Sequence, residues 1–595
     1  MSPAPSNLLP GAHSDTELRF VGLGVSPGIA RGPLLLGEDV FEKPDLQEIP
    51  ADSVSGELLR FDEALALTRE QIRGLQIQVE AEIGSKDAEI FDAHLLMLED
   101  RTVLDEVRQR IRNRPQQAEG AFYGVMSRYI ENLRKIDDDY LRERTLDFED
   151  VARRVVRNLM GKTHGAAHDR PHILLVHELT PSAAASMDRS KVLGLITEAG
   201  SHTSHGAIIA RSMGIPAVVG LHDITTRFHS GADCLVDGYQ GIFILQPSED
   251  TVAEYEVTRR QKSALARHLG EMRDAPAITR DGRSVILSAN IEFQSEMPQV
   301  TAAGAEGVGL YRTEFFYLNR RDLPGELEQA ENYSRVAAAA GPQGVIIRTL
   351  DIGGDKLHHH MHRGIEESNP FLGWRGIRVS LTEQDLFKTQ LRAALRASQH
   401  GRVRLMFPMI SGLEELREAR RVLAECQQEL SAEGIPFDPA VEVGCMIEIP
   451  SAAVIADALA REVDFFSIGT NDLIQYTIAV DRGNERVADL YQPCHPAILR
   501  LMKSVADASR AAGIWTGVCG EMAGDISLTP LLIGLGFEEL SVASVQLPMV
   551  KYAIRKLEAA ACDQALAEVL RLTDAERIYE RIREVSLEYY PELFA

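Results

Sequence analysis

A chain of 595 residues, at the usual about 100–200 residues per domain, holds several domains, and 45% hydrophobic with 6% aromatic residues lets them bury real cores. Its 88 acidic against 63 basic residues give a formal charge of −25, which argues against a nucleic-acid binder, a class marked by a basic patch or stripe. Disordered, collagenous and disulfide-scaffold chains are excluded by the same figures.

Residues 1–20 show neither a basic n-region nor an apolar h-region and are expected to be an N-terminal extension. No run of 18 apolar residues occurs, so no membrane-spanning helix is expected. The cysteines Cys234, Cys426, Cys445, Cys494, Cys519 and Cys562 form no CxxC pair, which suits reduced thiols in a cytoplasm. Residues 19–36 predict short strands around a turn punctuated by Gly22, Gly24, Pro27, Gly28, Gly32 and Pro33. From about 52 to 160 the pattern is helical, with Ile90, Phe91, His94, Leu95 and Leu98 on one face. Strand-like runs return at His172–Val176, Val192–Thr197, Ala217–Val219 and Gly241–Leu245, an α/β domain whose strands flank an inserted helical bundle. A charged helical stretch, 251–273, then leads to Pro276.

The second half alternates eight short apolar runs with helical intervals: Val285–Ile291, Gly307–Tyr311, Val345–Leu350, Leu405–Met409, Val443–Ile447, Phe465–Ile468, Thr516–Cys519 and Leu540–Val542. That alternation predicts a (β/α)8 TIM barrel. Asn290, Arg312, Arg348, Asp351, Glu448, Asn471, Asp472 and Cys519 all fall just after these runs, and the C-terminal mouth of such a barrel would collect them. Arg312 and Arg348 end neighbouring strands and suit a small phosphorylated acid, or else structural ion pairs with Glu314 and Asp351. Glu448 and Asp472, beside phosphate-binding arginines, suit Mg²⁺ or ordinary ion pairing. Cys519, in GVCGEMAGD, is by type a small buried hydrophobe, yet at the mouth its thiol could give a proton to a carbanion-like substrate atom. In EAGSHTSHGAIIAR, His205 stands near a helix N-terminus, where an imidazole could carry a phosphoryl group; composition alone favours a hydrogen-bonded structural histidine.

Acid is unevenly placed. Residues 38–106 hold 19 acidic and 6 basic residues, a net of −13, which is either a solvated helical face or a docking face for a basic partner.

Taken in order, SPGIARGPLLL, EIFDAHLLMLEDRTVLDEV, GSHTSHGAIIARSMGIPAVVG, AEGVGLYRTEFFYL, IIRTLDIGGDK, NPFLGWRGIR and FFSIGTNDLIQYTIAVDRGN resemble enzyme I of the bacterial phosphoenolpyruvate:sugar phosphotransferase system over almost the whole chain. The resemblance implies a swivelling phosphohistidine α/β domain (21–50 and 161–250) with an inserted helical domain (51–160), a linker at 251–275 as the hinge, and a barrel at 276–595. It implies phosphorylation of His205, phosphoenolpyruvate held by Arg312, Arg348, Asn471, Asp472 and Arg482, and Mg²⁺ on Glu448 and Asp472. Cys519 would protonate enolpyruvate as pyruvate leaves. The inserted helices would dock the phosphocarrier protein HPr, and the barrels would join a homodimer.

Two departures stand out. His202 replaces the arginine usual in the phosphohistidine turn, so a permanent positive charge becomes pH-dependent, and His202 becomes a formal rival to His205 as acceptor. The cluster His358, His359, His360 and His362 is expected to be a solvated loop. A phosphoenolpyruvate synthase or dikinase would need an ATP-grasp domain of several hundred residues, for which the chain has no room.

Overall fold

The computed structural model describes residues 17–37, 44, 47–82, 91, 94–134, 139–161, 170–177, 179, 191–200, 207, 210–211, 214–221, 224, 228, 230–317, 322–353, 367, 369–481, 484, 486–487 and 490–594. His202, His205, the cluster from His358 to His362 and Arg482 lie outside them. Chain contacts divide it into two units, Met1–Ser263 and Ala264–Ala595.

The first unit holds an eight-stranded mixed sheet whose neighbours run, in order, Leu18–Val21, Ile242–Leu245, Asp233–Asp237, Ile29–Leu36, His172–Val176, Val192–Thr197, Ala217–Val219 and Leu23–Ser26. Its strands are β1 (Leu18–Val21), β2 (Leu23–Ser26), β3 (Ile29–Leu36), β4 (His172–Val176), β5 (Val192–Thr197), β6 (Ala217–Val219), β7 (Asp233–Asp237) and β8 (Ile242–Leu245). Strand β3 changes partner along its length. Ile29–Pro33 pairs antiparallel with β7, and Leu34–Leu36 runs parallel to β4. From there β4, β5 and β6 are parallel. Two points differ from expectation. Asp233–Asp237 was not foreseen as a strand, its run CLV being bracketed by aspartates; and β1 begins at Leu18, so the sheet takes in the end of the stretch expected as extension.

Between β3 and β4 come helices Val54–Glu82, Arg101–Asn113, Ala118–Arg134 and Asp139–Leu159. Their apolar stripes meet in one core: Phe61, Leu65 and Ile72 from the first, Val103, Val107 and Ile111 from the second, Phe122 and Val125 from the third, Val151 and Val155 from the fourth. Asp100 starts the second helix by accepting from Thr102 N at 2.8 Å, the local signal such a terminus needs. Of the predicted face, Phe91, His94 and Leu98 are buried, Leu95 is partly buried against the core, and Ile90 lies outside the described residues. A long helix, Glu249–Glu271, leaves β8 and covers the stretch expected as linker.

The second unit is a closed barrel of eight parallel strands, β9 (Ile286–Ile291), β10 (Gly307–Arg312), β11 (Val345–Arg348), β12 (Val403–Phe407), β13 (Glu442–Ile447), β14 (Phe465–Ile468), β15 (Trp515–Val518) and β16 (Glu539–Ala543), with β16 pairing back onto β9. All eight predicted strands are present; β12 starts two residues before the apolar run LMFPM, at Val403, and ends at Phe407, because Pro408 lacks the N–H that a ladder requires. Strands covered on both faces read as continuous apolar runs, and that is why this half was legible. Among the described residues no helix is long and apolar enough to cross a membrane.

Candidate functional site

The C-terminal ends of the barrel strands open on a cavity of about 550 Å³. Arg312, Arg348, Asp351, Glu448, Asn471, Asp472 and Cys519 all line it, so seven of the eight residues expected at one mouth are brought together. Arg482 and His205 fall outside the described residues. Asn290 does not line the cavity; its side-chain amide donates to Cys519 O and Ser541 O, both at 3.1 Å.

Of the two readings of the arginines, the ion pairs are present, with Glu292 rather than Glu314 or Asp351 as the partner of Arg312. Arg348, at the end of β11, gives Nη2 to Glu314 Oε1 at 2.7 Å and lies 3.1 Å from Asp351 Oδ2 through Nη1. Its Nε is buried without a partner among the described residues, so the fork keeps a donor to give. Burial opposes its charge, but the carboxylates of Glu314, Asp351 and Glu448 outweigh burial and push its pKa upward. Arg312 donates to Glu292 Oε1 at 2.9 Å.

Arg375 was missed. It lies in a connection between strands rather than at a strand end, inside NPFLGWRGIR, a segment singled out only for its likeness. Its Nη2 reaches Asp351 Oδ2 at 2.9 Å and Asp472 Oδ2 at 3.2 Å, and its Nη1 donates to Tyr476 OH at 3.1 Å. The next residue, Gly376, has φ 59°, and a Cβ there would lie 3.0 Å from Asp351 Oδ1, so glycine keeps that approach open.

Asp351, Glu448 and Asp472 each offer a carboxylate oxygen within 4.8 Å of the others. Asp351 is the member that strand-end logic noted but did not assign to a metal. Glu448 accepts from Met409 N at 2.6 Å, and Met409 itself takes a left-handed φ of 58°. Burial, then Asp351 and Asp472, push the Glu448 carboxyl up to about 8, against the opposing pull of Arg348 and Arg375. Three guanidiniums face six carboxyl groups around the cavity: Glu292, Glu314, Asp351, Glu448, Asp472 and Glu521. A hard divalent cation on the triad fits this donor set, being all oxygen, and would offset the excess.

Cys519 follows β15 and is buried at 3% exposure. Burial pushes its thiol up to about 11, with a hydrogen bond to Ser467 working the other way, so at neutral pH it holds its proton. The loop after it is clamped. Glu521 N donates to Asn471 Oδ1 and Asn471 Nδ2 to Glu521 Oε1, both at 2.9 Å. Gly520 is required between them, since a Cβ would stand 1.9 Å from Thr470 Oγ1.

Comparison with known proteins adds identity of chain. The family described as PEP-utilising enzyme matches in three parts: its N-terminal part over residues 21–144, its mobile domain over 168–241 and its PEP-binding domain over 266–559. The phosphoenolpyruvate-protein phosphotransferase of Listeria monocytogenes is 41% identical over 575 residues, 96% of this chain and 100% of the relative. That of Staphylococcus carnosus is 40% identical over 568 residues, 95% and 98% of the two chains. A solution structure of Enzyme I is 34% identical, covering 41% of this chain and 99% of that one with a TM-score of 0.34.

Proposed function

Because the chain belongs to the phosphoenolpyruvate-protein phosphotransferases of the PEP-utilising enzyme family, we propose that the barrel cavity takes the phosphoryl group from phosphoenolpyruvate and that His205 carries it to a protein acceptor. The observation that carries this reading is the convergence of Arg312, Arg348 and Arg375 on the Asp351, Glu448 and Asp472 triad, with the protonated Cys519 thiol on the same wall.

Each group has a task. Arg312 and Arg348, joined by Arg375, hold the phosphate and carboxylate oxygens, with Asn471 and Arg482 completing the hold. The triad holds Mg²⁺, which when bound neutralises part of the charge on the phosphoryl oxygens. A neutral imidazole nitrogen of His205 attacks phosphorus in line; the N–P bond forms as the bridging C–O–P bond breaks at phosphorus, and the electron pair leaves on the enolate oxygen. Cys519 gives its proton to the methylene carbon of that enolate, and pyruvate departs. The phosphoryl group then passes from His205 to a histidine of the phosphocarrier HPr, docked on the helices of 51–160, while the barrels pair as a homodimer in the cytoplasm. Residues 21–50 with 161–250 form the domain that carries His205, with its hinge in 251–275; interdomain distances unchanged by phosphoenolpyruvate would exclude that swing.

One incubation tests the core of this. Protein mixed with phosphoenolpyruvate and Mg²⁺, without nucleotide, should gain about 80 Da as acid-labile phosphate, the mass of one phosphoryl group. An unchanged mass, or labelling that persists in His205→Ala, rejects the assignment. In the second case His202 is the acceptor to examine.

A further inference from the structure

Behind the cavity wall lies a set of buried polar side chains that the chemistry above does not use. Gln390, on helix Gln384–Ala397, is 1% exposed, and Thr313, Gln329 and Tyr333 are 0% exposed. Gln390 Oε1 accepts from Leu350 N at 2.9 Å, while its Nε2 donates to Thr313 Oγ1 at 3.0 Å and to Tyr333 OH at 3.3 Å. A flipped amide would set donor against donor at Leu350, so the orientation is fixed. Thr313, committed as an acceptor there, donates to Arg348 O at 2.9 Å. Tyr333 donates onward to Gln329 Oε1 at 3.0 Å, which also takes Tyr317 OH at 2.8 Å, and Gln329 Nε2 ends on Pro324 O at 3.0 Å.

The placement matters more than the count. Thr313 is the residue after Arg312, and Leu350 lies between Arg348 and Asp351. One amide therefore ties the backbone on which three cavity groups stand, and it reaches them from a helix outside the barrel wall. We propose that Gln390 is a positioning residue for phosphoryl transfer: it fixes the spacing of the Arg312 and Arg348 guanidiniums and the Asp351 carboxylate. A fully satisfied network away from water is rigid, since no solvent can replace a broken bond. Fork-shaped recognition of phosphate is intolerant of displacement, about 1 Å costing up to about 100-fold in rate. The proposal rests on the reading of the cavity as the phosphoenolpyruvate site.

The test separates positioning from mere core filling. Gln390→Met keeps length and volume but deletes all three bonds; Gln390→Glu keeps the acceptor facing Leu350 and removes the amide donors. For both, self-phosphorylation at low phosphoenolpyruvate should slow by about 10- to 100-fold with a raised KM. Transfer from protein already loaded by long incubation to HPr, a step assigned to the other unit, should keep its wild-type rate. A variant that melts earlier yet keeps wild-type KM and kcat overturns the proposal, as does one in which both half-reactions fall together. If Gln390→Met fails to fold, Tyr333→Phe takes its place: it removes the hydroxyl that receives one amide donor, and KM should rise several-fold, an unchanged KM counting against the idea. A wild-type protein that takes no label rejects the reading of the site instead, so the two failures are distinguishable.

Discussion

Cys519 shows what a single position can be asked to do. A thiol pushed up to about 11 is a poor nucleophile at neutral pH but keeps its proton there and so remains a proton source. Removing it should therefore spare binding and strike turnover: Cys519→Ala is expected to bind phosphoenolpyruvate as wild type does while pyruvate formation drops by about 100- to 10,000-fold, the usual worth of a general acid. Pyruvate released at the wild-type rate would remove Cys519 from the chemistry. The residue-level legibility of this site followed a simple divide. Arg312, Arg348, Glu448, Asp472 and Cys519 were readable because each closes or follows an apolar run, a position that barrel geometry turns into a mouth. Arg375 and Gln390 were not, because they sit in connections and helices whose local pattern says nothing of which strand end they will touch. Glu314 was read only as an ion-pair partner, and the structure assigns it that bond and the Asp351 N–H besides.

Elements show the same divide between local and distant signals. The eight barrel strands were visible from composition, yet the start of helix Ala559–Val569 was not, because its cap is not its neighbour. No side chain caps at Glu558; instead Asp281, far upstream, accepts from Ala559 N at 2.8 Å and Ala560 N at 3.0 Å. In sequence, TRDGRS is only a turn. A hydrogen bond from Thr279 together with these N–H groups holds the Asp281 carboxyl at about 2, below its ordinary 3.8. A carboxyl lowered on folding stabilises the fold at pH above its unfolded value and loses that contribution as pH falls toward the folded one. Asp281→Ala should thus cost about 1 kcal/mol near neutral pH, as a lost helix cap does. The gap between variant and wild type should narrow as pH drops from about 4 toward about 2. Urea unfolding of the two proteins side by side checks it; a gap that does not change with pH would mean the carboxylate charge plays no part.

At the scale of the whole molecule the question is where the charge of −25 acts. Half of it lies in residues 38–106, and the structure sharpens how much is free to attract a partner. Arg108 pairs with Asp62 at 2.8 Å and Arg69 with Glu99 at 3.6 Å, while Arg128 pairs with Glu106 and Arg60 with Glu57 and Glu119, so part of the acid braces the bundle itself. Leu59, Leu67 and Leu96 are also exposed, at 61%, 46% and 70%, and are accessible for apolar contact. A basic-faced carrier would then be steered by charge and held by apolar contact, which predicts a divided response to salt. Raising ionic strength from about 0.05 to about 0.5 M shortens the screening length from about 14 Å to about 4 Å. The association rate of HPr should fall steeply over that range and its dissociation rate change little, because steering acts on encounter and burial acts on residence. Leu96→Ala should do the reverse, speeding dissociation and sparing association. Stopped-flow binding at several salt concentrations resolves both; an association rate indifferent to salt would return the acid of 38–106 to solubility and bracing, and leave the barrel chemistry untouched.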